Sequence, residues 1–380
     1  MEILISHYRS DIVSGAEIAI VDMINKLDGN FDFTMLVPGE GILAEFFHSN
    51  NLNVWVNQIS TPRRKYPGLH YFQSKKNSRE LKKRNINLVI CNTFSAASRI
   101  STASRMAGIP YIIYVREYVK HTPLYQKVLR KADKLFTVSK DLQSYVKDMV
   151  PDREVELAYD VIAKEDIEKR ILTYKIKHHR HTPFDSKSPL VGWAGRITQF
   201  KQPHLFVESI PYVLEKIPSA RFVLIGKASE TEKNLEETLW KRAKALGIND
   251  KIAFMGQRSD VIELMNEMSV FCLTSSREPL GRVVLEAQLV GCPVIVSDSG
   301  GQAELVDDMV SGLKFDALSP DSPKLLAEKI CKVLSNEDLA KNIRNTAFTR
   351  VNQTFASNQP VKVFESLLKN EFKIMEGDSL

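Results

Sequence analysis

The sequence lacks the features that mark a secreted or membrane-spanning protein. Its four cysteines are scattered and form no CxxC pair, which argues against a disulfide framework and against a cysteine zinc site. Its apolar runs all fall well short of the roughly 20 residues that a membrane-spanning helix needs. The first ten residues lack the basic start and apolar core of a signal peptide and instead predict a strand. We therefore expect a cytoplasmic protein.

Several common ligand-binding motifs are missing as well. No GxGxxG follows a candidate strand and no GxxxxGK[ST] occurs, which removes the simplest dehydrogenase and NTPase interpretations. The HHRH cluster at 178–181 does not have the spacing of a structural zinc site, and we interpret it as part of a solvated linker. No metal site is expected.

What the sequence does contain is a repeated alternation of strands and helices. Short apolar runs rich in β-branched residues alternate with amphipathic stretches in both halves of the chain, which is typical of parallel sheets covered by helices on both faces. A length of 380 residues favours two domains. The candidate strands are 2–6, 33–38, 53–56, 87–92, 111–115 and 134–139 in the first half, and 190–195, 221–226, 251–256, 270–275 and 293–298 in the second.

The domain boundaries follow from this alternation and from composition. We place an N-terminal domain at 1–165 and a C-terminal domain at 190–355. A polar and basic segment, 166–189, is predicted to be the linker between them, and the tail 356–380 carries an amphipathic helix.

The basic residues are concentrated in one part of the chain. The net charge is only +6, but residues 51–150 hold 19 Lys and Arg against 5 Asp and Glu. The densest stretch, 61–84, has nine basic residues and one acid. Such a segment can face nucleic acid, anionic lipid or an acidic substrate, or it can simply be a solvated surface.

The most informative segment is 275–304, which contains Glu278 and Glu286. Glu278 lies in a strand-to-helix turn that Gly281 helps to shape, and a helix is predicted to begin near Arg282. The backbone N–H groups at this helix start would form a site for an anion. Glu286, about one turn inside the helix, could accept two hydrogen bonds from the vicinal hydroxyls of a ribose or a sugar.

This segment resembles the retaining glycosyltransferases of the large family that includes sucrose synthase and bacterial mannosyltransferases (glycosyl transferases group 1, family 4-like). GWAGRITQFKQP at 192–203 resembles the family's G-R-[LI]-x-x-x-K-G segment, and SGAE at 14–17 its glycine-rich first loop. The resemblance covers nearly the whole chain and is strongest in 190–315. The residues that match the signature E-x7-E, G-x-P and G-G-x-x-E are Glu278, Glu286, Gly291, Pro293, Gly300, Gly301 and Glu304.

The resemblance implies an α/β chain with the GT-B fold, in which two Rossmann-like domains face each other across a cleft. The C-terminal domain would bind a nucleoside-diphosphate sugar (a UDP- or GDP-sugar), the N-terminal domain would bind the acceptor, and the tail helix would pack back on the N-terminal domain.

The resemblance also implies roles for single residues. Arg196 and Lys201 would bind the donor diphosphate, Glu278 would contact the transferred sugar, and Glu286 would hold the ribose. Because the sequence has no Asp-x-Asp to hold a metal, cationic side chains and a helix start would stabilise the leaving group, and no cofactor is expected. The remaining candidates for donor binding are Gly15, Gly226, Arg258, Leu280, Gly281, Arg282 and Val283.

One departure from the family concerns the acceptor side. Many members carry a histidine after the strand that matches 111–115, whereas here Arg116 or Glu117 occupies that place. We expect Arg116 and Glu117 to line the acceptor side, with His121 and His7 as further candidates.

We therefore predict a retaining glycosyltransferase that moves a sugar from a nucleoside-diphosphate sugar to a saccharide or lipid-linked glycan in bacterial cell-envelope polysaccharide synthesis. One alternative is a nucleotide-sugar epimerase on the same fold, which would convert the donor without an acceptor. Another is an anionic-polymer-binding protein that uses residues 51–150, although no nucleic-acid-binding motif accompanies these charges, so no nucleic acid is expected as a partner.

A lipid-linked acceptor would place the enzyme at the inner face of the membrane. Tyr66, Leu69, Tyr71 and Phe72 lie among the charges of 61–84. Basic and aromatic residues together predict peripheral, salt-reversible binding to an anionic surface. The competing interpretation is that the same charges receive an acidic, soluble polysaccharide.

Overall fold

A computed structural model describes residues 1–11, 13–27, 31–59, 67–177, 182–185 and 187–377. The chain forms two compact units: Met1–Val161 with the C-terminal segment from Asn358, and Ile162–Ser357. The histidine cluster 178–181 and residues 61–66 of the basic segment lie outside the described residues. Within the described part of the chain, no helix is both long and apolar enough to cross a lipid bilayer.

The first unit is built on a parallel sheet with the strand order β3-β2-β1-β4-β5-β6-β7. Its central strand β1 has three fully buried residues in a row, as expected for a strand covered on both faces. The strands are Glu2–Ser6 (β1), Asp32–Val37 (β2), Asn53–Val56 (β3), Ile86–Cys91 (β4), Tyr111–Val115 (β5), Lys134–Thr137 (β6) and Glu156–Leu157 (β7). The helices between them are Gly15–Asn25 (α1), Ile42–Ser49 (α2), Pro67–Lys83 (α3), Phe94–Ala107 (α4), Pro123–Arg130 (α5) and Lys140–Met149 (α6).

The second unit repeats this design with the strand order β10-β9-β8-β11-β12-β13, again parallel throughout the described pairs. Its strands are Leu190–Ala194 (β8), Arg221–Ile225 (β9), Ile252–Gly256 (β10), Val270–Leu273 (β11), Val294–Ser297 (β12) and Leu313–Phe315 (β13). Its helices are Lys164–Lys177 (α7), Pro203–Lys216 (α8), Asn234–Ala245 (α9), Val261–Glu267 (α10), Arg282–Leu289 (α11), Gly300–Glu304 (α12), Ser322–Leu334 (α13) and Glu337–Thr354 (α14).

The last helix, Gln359–Gly377 (α15), belongs to the first unit although it follows the second in sequence. Phe364 on this helix is buried, and its ring stacks on Tyr114 of β5 with 6.3 Å between the ring centroids. Aromatic burial of this kind is a strong anchor for a terminal helix.

The predicted linker 166–189 needs correction, because its first half, 166–177, belongs to the helix α7, which packs within the second unit. Arg170 on α7 makes two hydrogen bonds to the carboxylate of Glu263 on α10, at 2.7 and 3.0 Å, and Tyr174 donates to Glu267. These polar contacts hold the helix in place. A polar composition therefore led to a linker prediction where the structure has a helix.

The eleven predicted strands are confirmed to within two residues at each end. The strands that the sequence did not predict, β7 and β13, have only two and three residues, too few for a recognisable pattern.

Each sheet has one topological switch point, where the chain continues outward in opposite directions from neighbouring strands. It lies between β1 and β4 in the first unit and between β8 and β11 in the second. Open parallel sheets bind ligands beyond the carboxyl ends of the strands at such a point. The candidate sites are therefore sought in the loops that follow these four strands.

Candidate active site

Lys201 and Glu278 meet at the switch point of the second unit. Lys201 ends the short turn that follows β8, and Glu278 lies on the loop that follows β11. The Lys201 ammonium donates a hydrogen bond to Oε1 of Glu278, and the Ser275 hydroxyl donates to the same oxygen at 2.7 Å. Both members of the ion pair are largely buried, with side chains 16% and 10% exposed. Two residues taken from separate motifs are thus brought into direct contact.

The two loops are held together by hydrogen bonds below this ion pair. The Thr274 hydroxyl lies 2.9 Å from the carbonyl oxygen of Lys201, and it accepts a bond from Nε1 of Trp193 at 3.0 Å. The backbone N–H of Ser276 donates to the carbonyl of Phe200 at 2.7 Å. The β8 and β11 loops therefore form one rigid element.

A buried glutamine, Gln302, fixes the loop that carries Glu278. The backbone N–H of Glu278 donates to Oε1 of Gln302 at 2.8 Å, and Nε2 of Gln302 donates to the carbonyl of Ser275 at 2.8 Å and to the hydroxyl of Ser297. Gln302 is fully buried, so these bonds have no competition from water. It stands at the first variable position of G-G-x-x-E, and nothing in the sequence pointed to it.

The glycine pair before Gln302 is explained by close backbone contact. A Cβ atom on Gly301 would lie 2.1 Å from the carbonyl oxygen of Pro279, and Gly300 has a φ of +66°. The Gly301 N–H donates to the carbonyl of Glu278 at 2.8 Å. Only glycine therefore allows α12 to approach the Glu278 loop this closely.

The helix α11 begins at Arg282, as predicted, after Gly281 in a left-handed conformation with φ +91°. Leu280 is buried and anchors the turn. The N–H of Val284 bonds to the carbonyl of Gly281 at 2.8 Å, so the amides of Arg282 and Val283 precede the first bonded turn. One turn further on, Glu286 accepts a hydrogen bond from Nε of Arg282 at 3.0 Å.

Arg196 lies half-buried directly after β8, on the loop that also carries Lys201. Among the residues that the structure describes, its guanidinium has no hydrogen-bond or ion-pair partner. A partly buried arginine of this kind suits an external anion such as a phosphate.

The other predicted donor residues of the second unit have different surroundings. Arg258 follows β10, at the far edge of the sheet, and makes two hydrogen bonds to Asp260, at 2.6 and 2.8 Å. This pairing raises the pKa of the Arg258 guanidinium. Gly226 has a φ of +142°, and a Cβ there would lie 1.9 Å from the carbonyl oxygen of Gly195. Gly226 thus permits the loops after β8 and β9 to touch.

The switch point of the first unit gathers side chains that the sequence did not single out. Tyr8 follows β1, and the guanidinium of Arg99 on α4 lies 6.0 Å from the centre of its ring. Glu117, after β5, accepts hydrogen bonds from the N–H and the hydroxyl of Ser95, both at 3.0 Å. Burial, followed by the charge of Glu117, raises the pKa of Tyr8. Of this group, only Glu117 was predicted.

Gly15 is the first residue of α1, and a set of polar contacts joins Ser14, Glu17 and His7 beside it. Glu17 accepts a hydrogen bond from the N–H of Ser14 at 2.9 Å and lies 3.7 Å from Nδ1 of His7. Burial acts to raise the pKa of Glu17, but the attraction of His7 and the bonds from Ser14 outweigh it, so the pKa lies below its usual value. These contacts hold the start of α1 next to the end of β1.

Arg116, predicted for the acceptor side, is buried just after β5. Its side chain is only 4% exposed, is paired with Asp160, and lies 3.9 Å from the centre of the Tyr114 ring. Its Nε and Nη2 have no hydrogen-bond partner in the described structure, and its acceptor role stays a prediction. His121 is exposed, and its ring packs edge-on against Tyr145 with 5.0 Å between the centroids.

Comparison with solved structures shows the fold class of the chain. The Anabaena protein Alr3699/HepE, solved with UDP and glucose, superposes with a TM-score of 0.79 over 98% of this chain and 99% of its own, at 19% identity. WaaG, a glycosyltransferase involved in lipopolysaccharide biosynthesis, superposes with a TM-score of 0.68 over 96% of this chain and 98% of its own, at 15% identity. The chain therefore has the two-domain GT-B fold of glycosyltransferases.

Family matches then specify the relationship. Residues 175–350 match the family Glycosyl transferases group 1, and residues 13–162 match Glycosyltransferase Family 4. Together these two matches cover most of the chain, which therefore belongs to the glycosyl transferases group 1, family 4-like. This confirms the family inferred from its motifs.

Curated relatives cover smaller parts of the chain. The capsular polysaccharide biosynthesis glycosyltransferase CapM of Staphylococcus aureus is 29% identical over 188 residues, which is 50% of this chain and 48% of that protein. The Vi polysaccharide biosynthesis protein VipC/TviE of Salmonella typhi is 37% identical over 126 residues, 33% of this chain and 21% of that protein. The chain thus matches about half the length or less of these relatives.

Proposed function

We propose that this protein is a retaining glycosyltransferase that uses a nucleoside-diphosphate sugar as donor. The single observation that carries the proposal is the Lys201–Glu278 ion pair at the switch point of the second unit. The start of α11 follows Glu278, and Arg196, which has no partner among the described residues, lies on the same loop as Lys201. Cations and amide groups gathered at one sheet edge match the charge that develops on a diphosphate leaving group. UDP in the HepE structure, a protein of the same fold, supports this donor class.

Each residue has a definite part in this proposal. Lys201 uses one of its three N–H donors on Glu278, so others are available for a phosphate oxygen. Arg196 would bind the same diphosphate in a bidentate manner. Glu286 would accept hydrogen bonds from the ribose, and Glu278, oriented by Ser275 and Lys201, from a hydroxyl of the transferred sugar.

The reaction exchanges one bond of the sugar for another. The bond between the anomeric carbon and the diphosphate oxygen breaks, and a bond from the acceptor hydroxyl oxygen to that carbon forms on the same face. The hydroxyl proton passes to the departing phosphate, so neither glutamate acts as a nucleophile. Stabilisation of the leaving group by Arg196 and Lys201 replaces a metal ion in this scheme.

Ligand-dependent melting tests the donor class directly. At 100 times Kd, the correct nucleotide should add about 2.7 kcal/mol to the free energy of unfolding, and UDP, GDP and ADP can be compared in one thermal-shift series. NMR of the product should show the donor's anomeric configuration. An inverted product would rule out retention, and failure of all three nucleotides to bind would rule out the donor proposal.

We further propose that the acceptor is a cell-envelope glycan and that the enzyme works at a membrane surface. The first part is supported by the named roles of CapM, VipC/TviE and WaaG in polysaccharide and lipopolysaccharide synthesis. The second is supported by α3, where Phe72, Lys76, Arg79 and Lys83 stand at i, i+4, i+7 and i+11 and are all exposed. This spacing places them on one stripe of the helix, as in helices that lie on anionic lipid.

A further inference from the structure

The carboxyl edge of the first unit has a cation, Arg99, that forms no ion pair with any described residue. Arg99 lies on the second turn of α4, half-buried, with its guanidinium next to the ring of Tyr8. Within the described part of the chain, it has no hydrogen-bond or ion-pair partner. Burial lowers the pKa of its guanidinium, which reflects the cost of removing this charge from water. An anion supplied from outside would offset that cost.

Two further groups at the same switch point also have unused hydrogen-bonding capacity. His7 comes directly after β1 and Asn92 directly after β4, and both are buried. In the described structure, neither ring nitrogen of His7 nor Oδ1 of Asn92 has a hydrogen-bond partner. Nδ1 of His7 faces Glu17 at 3.7 Å and Nδ2 of Asn92 donates to the carbonyl of Ala16, so the atoms left for a ligand are Nε2 of His7 and Oδ1 of Asn92. Buried polar atoms without partners are rare in folded proteins and call for an explanation. A polar ligand that binds here would supply the missing bonds.

Glu117 limits how such a ligand can be oriented. One of its carboxylate oxygens is held by Ser95, one helical turn before Arg99 on α4. A carboxylate repels an anion but accepts hydrogen bonds from hydroxyl groups. The matching ligand therefore has its negative group toward Arg99 and hydroxyl groups toward Glu117, which describes an acidic sugar.

We propose that Arg99 binds a carboxylate or phosphate group of the acceptor, so that this enzyme glycosylates an anionic saccharide. The proposal rests on the proposed transferase function and adds to it the chemical class of the acceptor. A guanidinium offers paired N–H donors to either group, and a lysine in the same place would offer only a point charge.

Three small probes separate the two sources of negative charge from a neutral sugar. Methyl α-D-glucuronide carries a carboxylate, glucose 1-phosphate a phosphate, and methyl α-D-glucoside neither. Binding to the whole protein is followed by saturation-transfer NMR at low salt, with UDP present. We expect at least one acidic probe to bind at least tenfold more tightly than the glucoside, and the probe that binds identifies the group.

Matched variants link the effect to one side chain. Arg99→Met should weaken binding of the acidic probe at least tenfold, and Arg99→Lys should restore part of it. Arg105→Met removes the same charge from an exposed position on the same helix and should change nothing. UDP affinity should be equal in all four proteins, because the donor site lies in the other unit.

The outcomes distinguish this proposal from the proposed function. Equal binding of acidic and neutral probes, no binding of either acidic probe at 20 mM, or an Arg99→Met variant that behaves like wild type would each overturn the acceptor proposal while UDP binding stands. If the wild-type protein binds no nucleotide, the proposed function is overturned. The same NMR series then still shows whether acidic probes bind more tightly than the neutral glucoside.

Discussion

The backbone N–H of Glu278 donates a hydrogen bond to the side-chain oxygen of Gln302 at 2.8 Å. Through this bond, and through those that Gln302 donates to Ser275 and Ser297, a fully buried amide sets the position of the carboxylate loop. Gln302 can thus control the geometry of Glu278, the residue proposed to contact the transferred sugar.

Gln302→Leu should impair turnover more than it impairs stability. The change leaves a buried N–H of Glu278 without a partner, at a cost of about 1–3 kcal/mol, and a displacement of about 1 Å at Glu278 would lower kcat roughly 100-fold. Steady-state kinetics and urea unfolding measure the two effects.

The matched control for this change is Gln288→Leu. Gln288 is also a buried glutamine of the second unit, but its amide donates to the carbonyls of Leu305 and Ser311, away from the Glu278 loop. It should lose a similar amount of stability with kcat nearly unchanged. Equal losses of kcat in both variants would show that Gln302 acts only on folding.

Arg196→Ala and Lys201→Ala should both lower turnover by about 10²–10³, because each removes a cation from the leaving group. Their effects on stability should differ. Arg196 has no partner within the described residues, so its loss should change the free energy of unfolding by less than about 0.5 kcal/mol. Loss of Lys201 leaves the buried Glu278 unpaired, at a cost of about 3 kcal/mol.

The control for this pair is Arg242→Ala, since Arg242 pairs with Glu208 on the surface of the same unit. It should have little effect on either quantity. Turnover within fivefold of wild type in Arg196→Ala or Lys201→Ala would remove that residue from the catalytic scheme.

The residues proposed for the second unit's site follow a clearer sequence pattern than those proposed for the first unit's, and the reason is physical. The proposed donor side depends mainly on residues that are close together in the sequence. A turn, a helix start and a glycine pair must follow each other at fixed spacing around Glu278 and Gly301. Such constraints leave a readable pattern. The meeting of Lys201 with Glu278 joins residues 77 positions apart, and only the family resemblance placed them at a common ligand.

On the proposed acceptor side, the side chains come from two loops and the helix α4 and follow no fixed spacing. Tyr8, Arg99 and Glu117 become neighbours only because β1, β4 and β5 are adjacent in the sheet. The surroundings of Arg116 were unpredictable for a related reason: its position after β5 was right, but its partner Asp160 is 44 residues away. Strand order, which a single sequence does not contain, decides both cases.

The cysteines allow donor binding to be located without a crystal. Cys91 lies in the first unit, and Cys272, Cys292 and Cys331 lie in the second. All are buried, and burial raises the pKa of each thiol, that of Cys292 to about 12. At pH 8 the folded protein should therefore react with iodoacetamide only when a unit opens.

UDP, or whichever nucleotide binds, should slow this labelling selectively. At 100 times Kd, opening of the second unit becomes about 100-fold less frequent, so Cys272 and Cys292 should be protected to that extent while Cys91 keeps its rate. Mass spectrometry of peptides from a labelling time course gives each rate separately. Protection of Cys91 without protection of Cys272 would place the donor in the first unit and contradict the proposed site.

The stripe on α3 predicts salt-sensitive binding to anionic vesicles. Each exposed Lys or Arg near such a surface contributes about 1 kcal/mol, so changing Lys76, Arg79 and Lys83 to Ser should weaken binding roughly 100-fold. Flotation with phosphatidylglycerol vesicles at low salt measures this, and at 1 M salt the wild-type protein should also be released, since charges are then screened beyond about 3 Å.

Three comparable charges elsewhere test whether net charge alone explains the binding. Changing Lys241, Arg242 and Lys244 on α9 to Ser removes the same total charge from the other unit and should leave flotation unchanged. Phe72, which is 70% exposed at the start of the stripe, contributes apolar contact, so Phe72→Ser should weaken binding at every salt concentration at which the wild-type protein binds. Equal losses in the α3 and α9 variants would mean that the surface acts only through net charge. No flotation of the wild-type protein at low salt would leave a soluble acidic acceptor as the explanation of the basic residues.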